Sequence, residues 1–165
     1  MNEKAFQDYY SDESSHCYGC GRLNQNGLQI KSYWEGDEAV TTYQPRPYHT
    51  AIPGYVYGGL IASLIDCHST GTAAAAAFHA SGLPAGHEAD FRFLTASLHV
   101  DYLKPTPISG PLTVRATVTE IKGRKVVVSS VLYANDEACA KGKVVAVQAP
   151  DALIAELIAK SQDAD

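Results

Sequence analysis

The stretch over residues 58–80, "GGLIASLIDCHSTGTAAAAAFHA", is the feature that most constrains this chain. Leu60, Ile61, Leu64 and Ile65 recur at helical spacing, and five alanines at 73–77 prolong the run with the best helix former. No other long helical pattern occurs, so the apolar side of this helix has no helical partner and must lie on a sheet. The sheet is legible around it. "ASLHVDYLKP" places Leu98, Val100 and Tyr102 on one face, "LTVRATVTEI" places Leu112, Val114, Ala116 and Val118 on one face, and "KVVVSSVLYA" is β-branched, with "ACAKGKVVAVQ" after it. Turns at Lys122-Gly123-Arg124 and Asn135-Asp136 make the last three of these antiparallel neighbours. Upstream, "GLQIKSYWEGDEAVTTYQP" reads as a hairpin turning at Glu35-Gly36-Asp37. "DALIAELIAKSQ" closes the chain as a short helix with Asp151 at its N-cap. The expectation is an α+β fold in which one long helix is wrapped by an antiparallel sheet of five or six strands. Residues 1–15 are expected to form a polar, mobile segment, residues 16–150 the folded domain, and residues 151–165 a C-terminal helix and tail.

The 165 residues suffice for one domain with an ordinary core, without disulfide or metal staples. A formal net charge of -5 argues against general nucleic-acid binding, which needs a basic surface, so an anionic ligand would require a local basic cluster. No apolar run reaches membrane-spanning length, and "MNEKAFQDYYSDESS" lacks the pattern of an export signal. A cytoplasmic protein with no membrane association is the expectation, and its four cysteines are then expected as reduced thiols. Cys17-x-x-Cys20, preceded by His16, hints at zinc, but no second ligand pair follows; with Gly19 and Gly21 it reads as a tight turn with small buried thiols, and no metal is expected.

At about 100° per residue the four apolar positions span roughly 140° of the helix, and Asp66 falls opposite them with Ser63 and Thr70 beside it. This stripe faces either water or another subunit. The uncharged residues around it and the flank of Cys67, Ala73, Ala74 and Ala77 favour a second chain, because a solvated stripe would carry Lys and Glu. His68 falls inside the apolar arc and reads as a hydrogen-bonded core or interface residue, and Cys67 reads as a buried structural thiol. Gly58 and Gly59 open the helix, where unpaired N–H groups and the positive end of the helix dipole suit an oxygen that gains negative charge. A second reading, that the glycines only turn the chain tightly into the helix, stands beside it.

"GYVYGGLIASLID" and "TASLHVDYLKPTP" together resemble the signature of hotdog-fold acyl-CoA thioesterases of the phenylacetate-pathway-like group. That signature is His-Gly-Gly, an apolar helix with an acid nine residues after the histidine, and a later Tyr-x-(Lys/Arg)-Pro segment. Tyr57, Gly58, Gly59 and Asp66 keep the spacing, and Tyr102-Leu103-Lys104-Pro105 supplies the later segment. "HCYGCGRLNQNGLQI" resembles the opening of part of the group, so the likeness covers roughly residues 16–148.

The resemblance implies a hotdog fold, an acyl-CoA substrate, no cofactor, and a site between the subunits of a homodimer or homotetramer. Asp66 would be the general base or nucleophile, and the Gly58 N–H, with Gly59, would polarise the thioester carbonyl. Thr95, rather than Thr70, would be the hydroxyl beside the attacking water. Tyr57 replaces the family's histidine, so the hydrogen bond near the thioester would come from the phenol or from His49. The segment "FHASGLPAGHEADFRFL" is longer than usual, which bears on the acyl pocket. In such enzymes a basic turn like Lys122-Gly123-Arg124-Lys125 meets the phosphates of coenzyme A; as an ordinary solvated hairpin turn it is equally well explained. Hydrolysis of acyl-CoA is the leading expectation. A catalytically silent hotdog domain that binds acyl-CoA or serves as a scaffold is the alternative, and a dehydratase is disfavoured by the absence of histidine at position 57.

Overall fold

The computed structural model describes residues 4–83 and 91–162. A 3-10 turn, Phe6–Tyr9, precedes the hairpin of β1 (Tyr33–Glu35) and β2 (Glu38–Tyr43), and α1 runs over Gly58–Ala80. Strands β3 (Phe93–Tyr102), β4 (Leu112–Lys122), β5 (Lys125–Ala134) and β6 (Glu137–Gln148) follow, and α2 (Asp151–Gln162) ends the chain. The six strands form one antiparallel sheet in the order β1-β2-β4-β5-β6-β3. The expected turns are present: Gly36 and Gly123 have φ of 62° and 56°, and Asn135 and Asp136 have 50° and 62°, the left-handed pair that suits a tight hairpin.

Helix α1 packs across β2 to β6. Its Leu60, Leu64 and Ile65 are fully buried against Leu112, Val114, Val128, Leu132 and Val144 from the facing side of the sheet. Each such leucine contributes about 1.5–3 kcal/mol by leaving water, which commits the apolar arc of α1 to the sheet and turns Asp66 away from it. His68, buried within that arc, donates from Nε2 to the Ala39 carbonyl at 3.1 Å and accepts at Nδ1 from Ser32 Oγ at 2.8 Å. Ser32 Oγ accepts in turn from Gln7 Nε2 at 3.2 Å, while Gln7 Oε1 accepts from Ser32 N at 2.9 Å. Burial of the imidazole pulls His68 down to about 4, so it is neutral at physiological pH.

That network corrects one expectation. The N-terminal segment, read as polar and mobile, packs on the domain over Ala5, Phe6 and Gln7, which are buried, and Gly71 of α1 leaves room for the Gln7 amide. A second correction follows from it. Cys67, Ala73 and Ala74, expected against another chain, are buried within this one.

Strand β3 differs from the other long strands. It is the free edge of the sheet beyond β6, and Leu94, Leu98 and Tyr102 are 44, 40 and 54 % exposed. Alternation alone placed Leu98, Val100 and Tyr102 on one face; the edge position, which the pattern does not encode, leaves Leu98 and Tyr102 open.

Candidate functional site

Asp66 sits half-buried on the outward side of α1, next to β3. Thr95 Oγ1 donates to Asp66 Oδ1 at 2.6 Å, a short hydroxyl–carboxylate bond that joins the helix to the edge strand. The pairing of β3 with β6 shifts register between Thr95 and Ser97, and an extra residue there bends the strand and re-aims the adjacent side chains. Thr70, the other candidate hydroxyl, donates back to the Asp66 and Cys67 carbonyls at 3.0 and 3.2 Å, and Ser63 donates to the Gly59 carbonyl at 2.8 Å. Of the described hydroxyls of Ser63, Thr70 and Thr95, that of Thr95 on β3 is the one that meets the carboxylate.

The start of α1 is shaped by aromatic rings. Tyr57 is the N-cap in an extended conformation and makes no side-chain capping bond. Leu60 N donates to the Tyr57 carbonyl at 3.2 Å, while the Gly58 and Gly59 N–H groups have no acceptor among the described residues. Tyr102 Oη donates to the Gly58 carbonyl at 2.9 Å, and a Cβ on Gly58 would lie 3.2 Å from that oxygen. A Cβ on Gly59 would lie 2.4 Å from Tyr57 Cε2, so a side chain there would have to displace the exposed Tyr57 ring. Both glycines thus let the Tyr57 and Tyr102 rings approach the helix start closely, and no side chain caps the N-terminus. Tyr102 is the contributor that residue-by-residue reading missed; its place in the Tyr-x-Lys-Pro segment was the available signal.

His49 is buried behind Tyr57, their ring centroids 6.5 Å apart, with Tyr48 edge-on at 4.8 Å. Its Nδ1 accepts from the Arg46 amide at 3.1 Å, and its carbonyl accepts from Tyr57 N at 3.0 Å. Burial, reinforced by the Arg46 charge, lowers the His49 pKa, so the ring is neutral with its proton on Nε2. His49 and Tyr57 thus lie together at the segment that leads into α1.

The basic turn is the two-residue connection of β4 to β5. Lys125 is paired with Glu120 at 2.7 Å, while Lys122 and Arg124 have no ion pair among the described residues. Lys125 pairs with Val147, and Val147 pairs with Leu94. The turn therefore sits at the Thr95 end of the sheet, about two strand spacings or roughly 10 Å from β3. The central part of the long segment before β3, residues 84–90, lies outside the described residues.

Beside Asp66, Cys67 meets the Cys17-x-x-Cys20 turn, the three sulfur atoms lying within 4.8 Å of one another. Hydrogen bonds from the Cys20 and Cys67 thiols draw Cys17 down to about 2, and holding that proton-poor neighbour pushes Cys20 up to about 12 and Cys67 up as well. The Asp66 charge adds to the rise at Cys20. Cys67 as a third sulfur escaped the sequence reading, because nothing local ties position 67 to positions 17 and 20.

Comparison with known proteins places the fold in a family. Acyl-coenzyme A thioesterase THEM4 of Xenopus laevis is 36% identical over 98 residues, which is 59% of this chain and 38% of that protein. The rat THEM4 is 34% identical over 98 residues, 59% of this chain and 36% of its own. The chain thus spans well under half the length of these relatives. A crystal structure of a thioesterase superfamily protein from Shewanella loihica PV-4 superposes with a TM-score of 0.65 at 46% identity, covering 84% of this chain and 98% of that one. The E. coli PaaI protein from the phenylacetic acid degradation operon superposes with a TM-score of 0.60 at 15% identity, over 74% of this chain and 81% of that one, and so shares the hotdog fold. The family model of the thioesterase superfamily matches residues 53–141, more than half of the chain and all of the segment from the start of α1 through Thr95 to the basic turn, so this chain belongs to the thioesterase superfamily.

Proposed function

We propose that this chain hydrolyses an acyl-CoA thioester to a carboxylic acid and coenzyme A. The observation that carries the reading is the Thr95–Asp66 pair at 2.6 Å on the outward stripe of α1. Thr95 occupies Asp66 Oδ1, which leaves Oδ2 to take a proton from water; this favours Asp66 as general base over direct attack by the carboxylate. The activated water adds to the thioester carbonyl, and the carbonyl π electrons move onto oxygen. Gly58 N–H, aided by Gly59 N–H and the helix dipole, stabilises that oxyanion, with Tyr57 and His49 Nε2 as neighbouring donors. Collapse of the adduct breaks the C–S bond, and the thiolate leaves with the proton that Asp66 had taken.

This chemistry requires two chains. Asp66 lies eight residues along α1 from Gly58, about 12 Å down the axis at 1.5 Å per residue, so one chain's carboxylate and its own helix N-terminus cannot flank a single carbonyl. A homodimer with β3 paired to β3 brings Asp66 of one protomer toward the helix start of the other, and it covers Leu94, Leu98 and the unpaired edge. Lys122 and Arg124, rather than the engaged Lys125, hold the phosphates of coenzyme A.

The test is a thiol-release screen over short, medium, long and aryl acyl-CoAs with wild type and Asp66→Asn. Turnover that falls by at least about 100-fold in the folded variant supports the reading. Equal rates in both proteins refute the role of Asp66. The histidine-free helix start, with Tyr57 in that place, favours a second reading, a silent acyl-CoA-binding domain; it predicts coenzyme A binding with no turnover of any substrate.

A further inference from the structure

Three of the four cysteines converge on one point. Cys17 and Cys20 come from the N-terminal loop and Cys67 from α1, yet their Sγ atoms all lie within 4.8 Å of one another, with Cys17 and Cys67 3.9 Å apart and all three thiols free. In a tetrahedral zinc–thiolate centre, Zn–S bonds of about 2.3 Å place sulfur atoms about 3.8 Å apart. The trio matches that spacing with a contraction of about 1 Å at most.

The loop is shaped around these sulfurs. Gly21 N donates to the Cys17 carbonyl at 2.8 Å, closing the turn that carries Cys17 and Cys20. A Cβ on Gly19 would lie 2.1 Å from Cys67 Sγ, so glycine at 19 is what lets the loop close over the helix sulfur. Leu28 N to the Tyr18 carbonyl at 2.7 Å and Ile30 N to the Gly19 carbonyl at 3.0 Å hold the loop in place. The fourth cysteine supplies a contrast. Cys139 is buried alone on β6 and donates to the Glu137 carbonyl at 3.4 Å, as a packing thiol does. Cys17 is exposed, and packing alone gives no reason to keep a thiol at an exposed position against two others.

We propose that Cys17, Cys20 and Cys67 form a binding site for a thiophilic divalent cation, zinc foremost, completed by one solvent ligand on the open side of Cys17. Binding forms three metal–sulfur bonds and releases the thiol protons to solvent. The ion fastens the N-terminal loop to α1 one residue from Asp66, so its place is structural and its effect on the site is to hold the helix face. Softness of the donors selects zinc over magnesium or calcium, which take oxygen ligands.

The test is titration of Co2+ into the reduced, chelator-treated full chain, followed by displacement with Zn2+. One cobalt per chain is expected, with sulfur-to-cobalt charge transfer and the intense visible bands of tetrahedral coordination, both abolished by zinc. Cys17→Ser, at the exposed position, should lower the affinity at least about 100-fold, since loss of an outer-shell partner alone costs 10–100-fold. Cys20→Ser should act likewise, whereas Cys139→Ser should leave binding unchanged. Added Zn2+ should also raise the melting temperature of wild type and not that of Cys17→Ser, which covers the case in which Cys67→Ser does not fold. Weak octahedral-type spectra, or equal affinity in wild type and folded Cys17→Ser, overturn the proposal. It also falls if the reduced chain binds no cobalt while peroxide treatment joins Cys17 to Cys20 or Cys67, which would make the cluster a redox site.

Discussion

Replacing Thr95 with valine removes the hydroxyl that reaches Asp66 Oδ1 at 2.6 Å and leaves a side chain of nearly the same shape. A hydrogen bond to a charged group is worth about 1.5–3 kcal/mol. Thr95 is exposed and Asp66 half-buried in the single chain, so water recovers part of the loss. The lower bound, about 1.5 kcal/mol, is the working figure, a fall of roughly 10-fold in kcat/KM. Asp66→Asn removes the base itself and should lose at least about 100-fold. The informative variant is the double mutant. If Thr95 acts by holding Asp66, Thr95→Val in the Asp66→Asn background should change the rate by no more than about 2-fold, because the group it positions is gone. Thr95→Ser should restore most of the wild-type rate. Steady-state thiol release with the best substrate, alongside circular dichroism to verify folding, reads the wild type and the four variants. Equal factors for Thr95→Val in both backgrounds would refute the positioning argument, and an unchanged single mutant would refute any role for the 2.6 Å contact.

Reversing Arg124 to Glu should weaken coenzyme A binding by roughly 1.5–3 kcal/mol, raise KM with much less change in kcat, and lose effect as salt rises; calorimetric titration showing equal affinity would make the turn a solvated hairpin. Sedimentation velocity at micromolar concentration should find at least a dimer, and a solution containing only a species of 17.7 kDa would remove the shared-site mechanism. His68 is held near 4 in the folded chain against about 6.5 unfolded, so its neutral form stabilises the fold above pH 6.5 and that contribution is lost as pH falls toward 4. Between pH 7 and pH 5 this amounts to about 2 kcal/mol, which urea unfolding should show in wild type and largely lose in His68→Gln; parallel pH dependence in the two proteins would contradict it.

The elements were legible because their signals are local. A 3.6-residue apolar rhythm with an alanine extension specifies α1, alternation specifies β4, and the Lys122-Gly123-Arg124 and Asn135-Asp136 turns set the register of its neighbours. The same helical rhythm put Asp66 opposite Leu60 and Leu64, since one helix can turn only one face to a sheet. Pairings between distant segments carry no such local signal. That Thr95 rather than Thr70 reaches the carboxylate depends on a bulge in β3 and on where that strand joins the sheet. That Cys67 faces Cys17 and Cys20, and that Gln7 closes over His68, depends on the N-terminal loop folding back across α1. Hydrophobic periodicity records which side of an element is buried and is silent about what covers it, so contacts fifty residues apart exist only once the helix is laid on the sheet.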